Sequence, residues 1–379
     1  MMEWRVPLSD LDYGDEEEQA ALDVLRRRWL TMGSVTQAFE QEFAQFVGVK
    51  YALAVSNATV ALHLACLALG IGEGDEVVVP SLSFVATSNA VLYSGAQVRF
   101  ADIHGPHDLN IAPAEIECQI TPRTKAIIVM HYGGYPCQMV EIRQLAERHG
   151  LAIIEDAAHA PGGSLDGRAL GTWGEVGCFS FFSNKNLAVG EGGMLVTNSD
   201  DIADKVRLLR SHGMTSLTWD RHHGHAYSYD VVALGYNYRM DELRSALGRA
   251  QMHKLSANNV RRKAITEQYW QAFGQFTDRG VELPFRSTPG TPAYHIFPLL
   301  LPGHVSRQGF IDQLREAGIQ TSIHYPPIHQ FSYYRQRYGE ISLPRTEEVA
   351  SREVTLPLYP EMSTEQVELV IHAVSRNVV

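Results

Sequence analysis

The feature that most constrains the fold is a regular alternation of short apolar runs and helical patterns between residues 50 and 200. Most of the runs are rich in Val, Ile and Phe and lack polar alternation, which is typical of strands buried on both faces. They span residues 51–55, 76–80, 98–102, 126–130, 151–155, 177–182 and 193–197. Because helices separate the strands, this order predicts an α/β fold with a mostly parallel central sheet.

Helical periodicity appears both between these runs and after them. Residues 58–70 and 136–150 each end on a glycine, a residue that commonly terminates helices. Residues 202–215 and 240–275 also predict helices, and the second is long, charged and amphipathic, as suits a connector between domains.

The composition changes after about residue 280, where proline becomes dense and the remaining segments are shorter. We therefore predict three parts. Residues 1–30 form an N-terminal segment that packs across the domains, and 31–250 form the large domain. Residues 251–379 form the connector helix and a smaller α+β domain.

Charge and cysteine content exclude several classes of protein. The formal net charge of -11 argues against a nucleic-acid partner, because phosphate backbones require a basic face. No run approaches the roughly 18 apolar residues of a membrane span, and the N-terminus has no signal-peptide pattern, so we expect a cytoplasmic protein. The four cysteines form no C-x-x-C pair and are interpreted as reduced core residues; no metal site is expected.

Ligands of open α/β sheets bind beyond the carboxyl ends of the strands, so the residues that follow each strand are informative. The run 51–55 is followed by Asn57, Ala58 and Thr59 at the start of a helix. Free N–H groups there could cradle a phosphate. An ordinary N-cap explains the same residues and is favoured when they are considered alone.

Asp156 follows the run 151–155. A carboxylate at the end of a buried strand loses hydration unless a cation pairs with it, and a protonated pyridine nitrogen is such a cation. A helix N-cap is an equally good explanation in isolation.

Lys185 lies just past the run 177–182 and before the glycine-rich residues 190–193. A free lysine has a pKa of about 10.4 and is a poor nucleophile at neutral pH, but burial lowers that pKa, as Schiff-base lysines require. A surface lysine at a turn is the alternative. In this order, a phosphate site, a pyridinium partner and a Schiff-base lysine are the equipment for pyridoxal phosphate.

With these residues in place, the sequence resembles the DegT/DnrJ/EryC1/StrS sugar aminotransferases, which are fold-type-I pyridoxal-phosphate enzymes. The resemblance runs from residues 30–33 to 356–360. Its markers are residues 74–77, 80–84, 155–159, 180–185, 190–193 and 235–240.

The resemblance implies a role for each matching residue. Lys185 would carry the cofactor, and Asp156 would keep its pyridine nitrogen protonated. The other implied cofactor contacts are Phe84 on the ring face, His159 near the phenolic oxygen, Ala58, Thr59 and Ser180 at the phosphate, and Asn237 at the phosphate of a neighbouring subunit. A homodimer with shared active sites is therefore part of the expectation.

The resemblance also implies a reaction. An amino group would pass from glutamate or glutamine to a keto-sugar, most often nucleotide-linked, in amino-sugar biosynthesis. Glu191 and His329 are candidate sugar contacts, although His329 could be a structural histidine. Arg239 is a candidate for the donor carboxylate, or a structural ion pair.

Two departures from the family pattern bear on these expectations. Ala58 stands where the family has glycine, which is harmless unless that position needs a positive φ. Phe182 stands where many members have histidine, which weakens any transfer of substrate identity. A sugar dehydratase, a cyclitol (inosose) aminotransferase and a non-catalytic protein on this fold are the alternatives. Dehydratase relatives carry histidine in place of the lysine, so Lys185 argues against the first.

Overall fold

The computed structural model describes residues 4–215 and 228–378. The strands are β1 (Tyr51–Val55), β2 (Glu76–Pro80), β3 (Gln97–Ala101), β4 (Ile103–Gly105), β5 (Asp108–Ile111), β6 (Thr124–Met130), β7 (Ala152–Asp156), β8 (Ser164–Leu165), β9 (Arg168–Ala169), β10 (Val176–Ser180), β11 (Gly193–Thr197), β12 (Phe297–Leu300) and β13 (Glu353–Leu356).

The described helices are α1 (Asp15–Arg27), α2 (Ser34–Val47), α3 (Ala58–Ala68), α4 (Ala86–Tyr93), α5 (Pro113–Gln119), α6 (Met139–His149), α7 (Asp200–Leu209), α8 (Glu242–Phe273), α9 (Arg307–Glu316), α10 (Ser332–Tyr338), α11 (Pro344–Arg352) and α12 (Thr364–Asn377).

Seven strands form the central sheet in the order β1-β11-β10-β7-β6-β2-β3. Neighbours pair in parallel except β11, which is antiparallel to both β1 and β10. The predicted α/β fold with a mostly parallel sheet is confirmed, and each predicted strand lies within two residues of an observed one.

The predicted helices differ from the observed ones mainly at their ends. The helix predicted at 202–215 ends at Leu209, and the connector predicted at 240–275 is α8, Glu242–Phe273. Helix α1 was not predicted because its apolar residues are diluted by charge. Acidic residues fill its first turn and arginines its last, an arrangement that the helix dipole favours.

Apolar layers cover both faces of the sheet. On one face, Phe43 of α2 packs against Phe179 of β10 with ring centroids 5.0 Å apart. A separate core lies in the C-terminal region, where Tyr269 of α8 contacts Phe297 of β12 at 5.0 Å. Helix α8 thus contributes to the C-terminal core while it also packs on α1 and α2.

The N-terminal segment contacts both regions. Val6 bridges to Ile319 in the C-terminal part, and the Tyr13 hydroxyl donates to the carbonyl of Ala188 at 2.5 Å. These contacts are those that a bridging segment would make, and the domain boundaries themselves stay a prediction.

The cysteine interpretation needs one correction. Cys66, Cys137 and Cys178 are buried, but Cys118 is exposed on the short helix α5. Ile116, two residues before it, is buried instead, because positions two apart on a helix face different directions.

Across the two described ranges, no helix has the length and apolar content to cross a membrane.

Candidate active site

Three strand ends converge at one edge of the central sheet. The carboxyl ends of β1, β7 and β10 lie at this edge, and the antiparallel β11 begins there, so Gly193 pairs with both Val55 and Ser180. A Cβ atom on Gly193 would lie 2.5 Å from the carbonyl carbon of Asn57. Glycine is therefore required for the loop after β1 to approach the start of β11.

A cavity of about 390 Å³, within the size range of small-molecule sites, opens at this edge. The sequence-predicted residues that line it are Ala58, Thr59, Phe84, Asp156, His159, Ser180, Lys185 and Glu191. The structure also places Phe182, Asn184, His324 and Tyr325 in its wall.

The first turn of α3 presents N–H groups that could bind an anion. The Asn57 side chain accepts a hydrogen bond from the N–H of Val60 at 3.0 Å, so it is a true N-cap. The N–H groups of Ala58 and Thr59 belong to the same turn, where no helical carbonyl can accept them. Capping and anion binding are thus compatible here. Ala58 does not have a positive φ, so alanine fits this position without strain.

Asp156 ends β7 and is buried at the cavity. Thr87 donates to its Oδ2 at 2.7 Å, and the N–H of Ala158 donates to its Oδ1 at 3.2 Å. Burial raises the pKa of this carboxyl, and the hydrogen bond from Thr87 partly offsets the effect. A carboxylate has about four acceptor sites, so capacity remains for a ligand.

The sequence did not identify Thr87 or its neighbour Ser83. The two hydroxyls lie 2.7 Å apart, so Ser83 helps to orient the Thr87 hydroxyl, which donates to Asp156. Ser83 and Phe84 belong to a family marker, whereas Thr87 lies in α4 and has no local signature.

Lys185 lies on the loop between β10 and β11, with its Nζ 3.5 Å from Nε2 of His295. Burial lowers the pKa of the amine to about 8, and the charge of Asp156 opposes that shift. A much larger fraction of the amine is therefore neutral at physiological pH than in a free lysine, as a nucleophilic role demands.

His159 is held in one tautomer. Its Nδ1 accepts a hydrogen bond from the N–H of Gly133 at 3.2 Å, so the ring proton lies on Nε2, which faces the Tyr325 hydroxyl at 3.0 Å. Burial lowers the pKa of this histidine well below its usual range. His159 is therefore a neutral hydrogen-bond donor at the cavity wall.

The C-terminal region contributes side chains that sequence reasoning missed. His324 Nδ1 lies 2.8 Å from the Thr355 hydroxyl, and burial lowers its pKa to about 4. His295 is also buried, and burial lowers its pKa well below the ordinary value. His324 stands in the same histidine- and proline-containing segment as His329. The sequence analysis selected His329 from this segment, whereas His324 lines the cavity.

Three predicted site residues do not line the cavity. His329 is buried, with Nδ1 2.7 Å from the Ser81 hydroxyl and Nε2 3.2 Å from Glu347, which favours a structural role. Arg239 forms a bridge with Val55, and Asn237 is exposed. Neither contributes to the cavity within its own chain.

Comparison with known proteins adds to this geometry. Residues 12–375 match the model of the DegT/DnrJ/EryC1/StrS aminotransferase family. The chain belongs to this family. It is a sugar aminotransferase that depends on pyridoxal phosphate.

Individual relatives extend along almost the whole chain. The spore coat polysaccharide biosynthesis protein SpsC of Bacillus subtilis (strain 168) is 41% identical over 368 residues, covering 95% of this chain and 94% of the relative. The aminotransferase TlmJ from Streptoalloteichus hindustanus is 34% identical, with a TM-score of 0.91 and 98% of each chain covered.

A third relative, Spr1654 from Streptococcus pneumoniae, was solved in forms with each state of the cofactor. Its PLP form has a TM-score of 0.91 over 99% of each chain, and its PMP form 0.92 over 99% of this chain and 100% of that one; both are 25% identical.

The residues that line the cavity are themselves suited to this cofactor. Phe84 exposes 55% of its surface beside the cavity, and the Oδ1 atom of Asn184 is buried there without a hydrogen-bond partner. A planar ring and its polar substituents would satisfy an exposed aromatic face and an unpaired acceptor. Lys185, Asp156 and the first turn of α3 supply the amine, the carboxylate and the anion site.

Within the described residues, no three His, Cys, Asp or Glu side chains are grouped so that they could hold a metal ion.

Proposed function

We propose that this enzyme moves an amino group from glutamate or glutamine to a keto-sugar, nucleotide-linked, in amino-sugar biosynthesis. The observation that supports the proposal best is Lys185, a partly desolvated amine in a cavity that also contains a buried carboxylate and free helix amides. When bound, pyridoxal phosphate supplies an aldehyde that carries the amino group and a ring that withdraws electrons from the reacting carbon.

The chain's own residues have separate tasks in this proposal. Lys185 would hold the cofactor and would move a proton to or from the reacting carbon. Asp156 keeps the proton on the pyridine nitrogen, and Phe84 covers one ring face. Ser180, Ala58 and Thr59 would bind the phosphate, and His159 would lie near the phenolic oxygen.

The sugar would enter past the exposed side of the cavity. Phe182 is 45% exposed and Glu191 is exposed, and both line the opening. A carboxylate can accept hydrogen bonds from sugar hydroxyls, and an aromatic ring can pack on a sugar's apolar face. Arg239 does not line the cavity of its own chain, so we propose it for the donor carboxylate in the partner's site.

The assignment to activated sugars draws on the relatives. SpsC is named for polysaccharide biosynthesis, a process that consumes activated sugars. We propose a cytoplasmic location, where such substrates are made. A cyclitol acceptor is the second candidate, since the cavity groups named above would serve an inosose equally well.

A panel of nucleotide-linked keto-sugars and inososes, each incubated with glutamate or glutamine, tests these assignments. The expected product gains one amino group by mass only with a nucleotide-linked acceptor. Amination of an inosose alone would transfer the assignment to cyclitols, and amination of neither would contradict the proposed substrate class.

We also propose a homodimer in which Asn237 binds the partner's cofactor phosphate. Its exposure and its absence from the cavity of its own chain suit that role. When inactive Lys185→Ala and weakened Asn237→Ala chains are mixed, one site of each mixed dimer carries both changes and the other neither. Activity should therefore return on mixing, whereas no recovery would argue that Asn237 acts within its own subunit.

A further inference from the structure

A chain of buried and partly buried hydrogen bonds connects the connector helix to Lys185. It begins at the carbonyl of Pro161, which accepts from Nδ2 of Asn259 on α8 at 3.0 Å. Oδ1 of Asn259 then accepts from Nδ2 of Asn186 at 2.8 Å, and Oδ1 of Asn186 lies 2.9 Å from Nδ1 of His295. The chain ends where Nε2 of His295 meets Nζ of Lys185 at 3.5 Å.

The carbonyl of Pro161 determines the direction of every hydrogen bond in this series. A carbonyl only accepts, so the amide of Asn259 must face Pro161 with its nitrogen. Asn186 uses both protons of its Nδ2, on Asn259 and on the carbonyl of Ala293 at 2.7 Å, so its Oδ1 can only accept. His295 must therefore carry its proton on Nδ1.

This tautomer leaves a lone pair on Nε2, the nitrogen that faces the lysine. The backbone of His295 is held from both sides, because its N–H donates to Gly133 at 2.8 Å and Arg262 donates to its carbonyl at 3.3 Å. The ring is buried. The acceptor is thus presented from a rigid support.

We propose that His295 is a positioning residue for Lys185. Its unprotonated Nε2 accepts a hydrogen bond from the lysine amine and keeps Nζ at the cavity wall whenever the lysine is not joined to the cofactor. The inference rests on the proposed role of Lys185 and deepens it. The proposed contact joins the loop after β10, which carries Lys185, to the segment before β12, which carries His295.

Several charged or titratable groups face this pair and bear on any pH measurement. Asp156, His159 and His324 act electrostatically with Lys185, while His159, His324, Lys185 and Arg262 act on His295. An ammonium donates a stronger hydrogen bond than a neutral amine, so an acceptor favours the charged lysine. Loss of the acceptor should therefore lower the pKa of the lysine, whereas mere entry of water should raise it toward 10.5.

Two substitutions of His295 separate positioning from packing. His295→Asn retains a donor near the place of Nδ1 and withdraws the group that faces Lys185. His295→Gln retains an acceptor near the place of Nε2 and gives up the donor to Asn186. His253→Asn and His253→Gln on the exposed face of α8 serve as matched controls.

The readout is the rate at which the full-length protein, freed of cofactor, captures pyridoxal phosphate covalently, followed by absorbance from pH 6 to 10. We expect His295→Asn to lower the capture rate on the high-pH plateau about three- to tenfold, which corresponds to the loss of one hydrogen bond. The midpoint of the pH profile should shift to lower pH. His295→Gln and both His253 variants should stay within about twofold of the unchanged protein. Equal losses in the two His295 variants, no loss in either, or a midpoint that rises would overturn the proposal.

A second measurement does not depend on the variants' folding. Nitrogen NMR of labelled histidines in the unchanged protein should show Nδ1 of His295 protonated and Nε2 not, and a protonated Nε2 would overturn the inference. Borohydride reduction and peptide mapping of the same protein report separately on Lys185. If the cofactor is found on another residue, the proposed function fails whatever the tautomer of His295.

Discussion

The two walls of the cavity differ in how fully the protein satisfies their polar groups. The sheet wall comprises Ala58, Thr59, Asp156, Ser180 and Lys185, which lie at or after the strand ends. The C-terminal wall comprises His324 and Tyr325, and His295 lies next to Lys185 without lining the cavity. The rings of His324, Tyr325 and His295 each have a partner within the protein, whereas the sheet wall retains first-turn amides, a carboxylate with free acceptor sites and a partly desolvated amine.

This contrast separates binding from orientation. Unsatisfied groups around a cavity provide the interactions that a ligand completes, while satisfied groups behind them keep the first set in place. We therefore expect substitutions in the sheet wall to affect chemistry more than stability.

The largest effect is expected for Lys185→Ala. Loss of the group that carries the cofactor and moves the proton should reduce turnover about 100- to 10,000-fold, measured as product formed per enzyme. Lys205→Ala, which removes an exposed lysine on α7, is the control and should leave turnover unchanged. Near-normal turnover of Lys185→Ala would show that this lysine does not have the proposed role. It would also contradict the assignment of the chemistry to the sheet wall.

The next effect compares two adjacent carboxylates. Asp156→Asn should reduce turnover by about 100-fold, because it removes the charge that keeps a ring nitrogen protonated. Stability should change little, because the Thr87 hydroxyl can rotate to accept from the new amide and donate to Ser83. Glu155 accepts from the N–H groups of Gly171 and Gly174 at 2.8 and 2.7 Å and pairs with His131 at 2.9 Å. Glu155→Gln should therefore cost about 1–3 kcal/mol of unfolding free energy, since an amide nitrogen would face one of those donors.

The two variants are measured by turnover and by chemical denaturation. If Asp156→Asn unfolded the protein while Glu155→Gln mainly reduced turnover, the assignment of the two carboxylates would be reversed.

A smaller effect is expected when the rate of cofactor capture is measured as a function of pH. Only the neutral amine of Lys185 can capture the cofactor, and burial places its pKa near 8. The capture rate should rise about tenfold per pH unit below pH 8 and level off above it. A rise that continued to pH 10 would mean that the lysine is hydrated and that the wall is more open than described.

The same shift affects the cofactor-free protein's stability. The folded pKa lies below the unfolded value of 10.5, so the charged lysine destabilises the fold below pH 8. This penalty disappears as the pH rises toward 10.5. Lys185→Met should therefore raise the melting temperature of the cofactor-free protein at pH 7 but not at pH 10.5.

The smallest effect is expected for Ala58→Gly, which restores the family's glycine. Ala58 does not have a positive φ, so glycine offers no conformational advantage there. The affinity for pyridoxal phosphate should change by no more than about threefold, measured by equilibrium titration. A tenfold or larger gain would show that the alanine methyl group obstructs the anion site.

The sheet wall could be predicted because its geometry follows from local order. Parallel strands bring their carboxyl ends to one edge, so the residues after β1, β7 and β10 meet whatever the rest of the chain does. The short apolar runs revealed those strands, and Asp156 and Lys185 then followed from their positions. Thr87 escaped because a hydroxyl within a helix looks the same whether or not it reaches a carboxylate.

The C-terminal wall was decided by the tertiary structure alone. His295 contacts Lys185 across a separation of 110 residues, and His324 interacts electrostatically with it across 139 residues. Within one short segment, His324 and Tyr325 reach the cavity while His329 turns to Ser81 and Glu347. The sequence thus determined the α/β sheet and the edge of that sheet at which Lys185 lies. Which histidines face that lysine, and in which tautomer, depended on contacts between distant segments that no local pattern encodes.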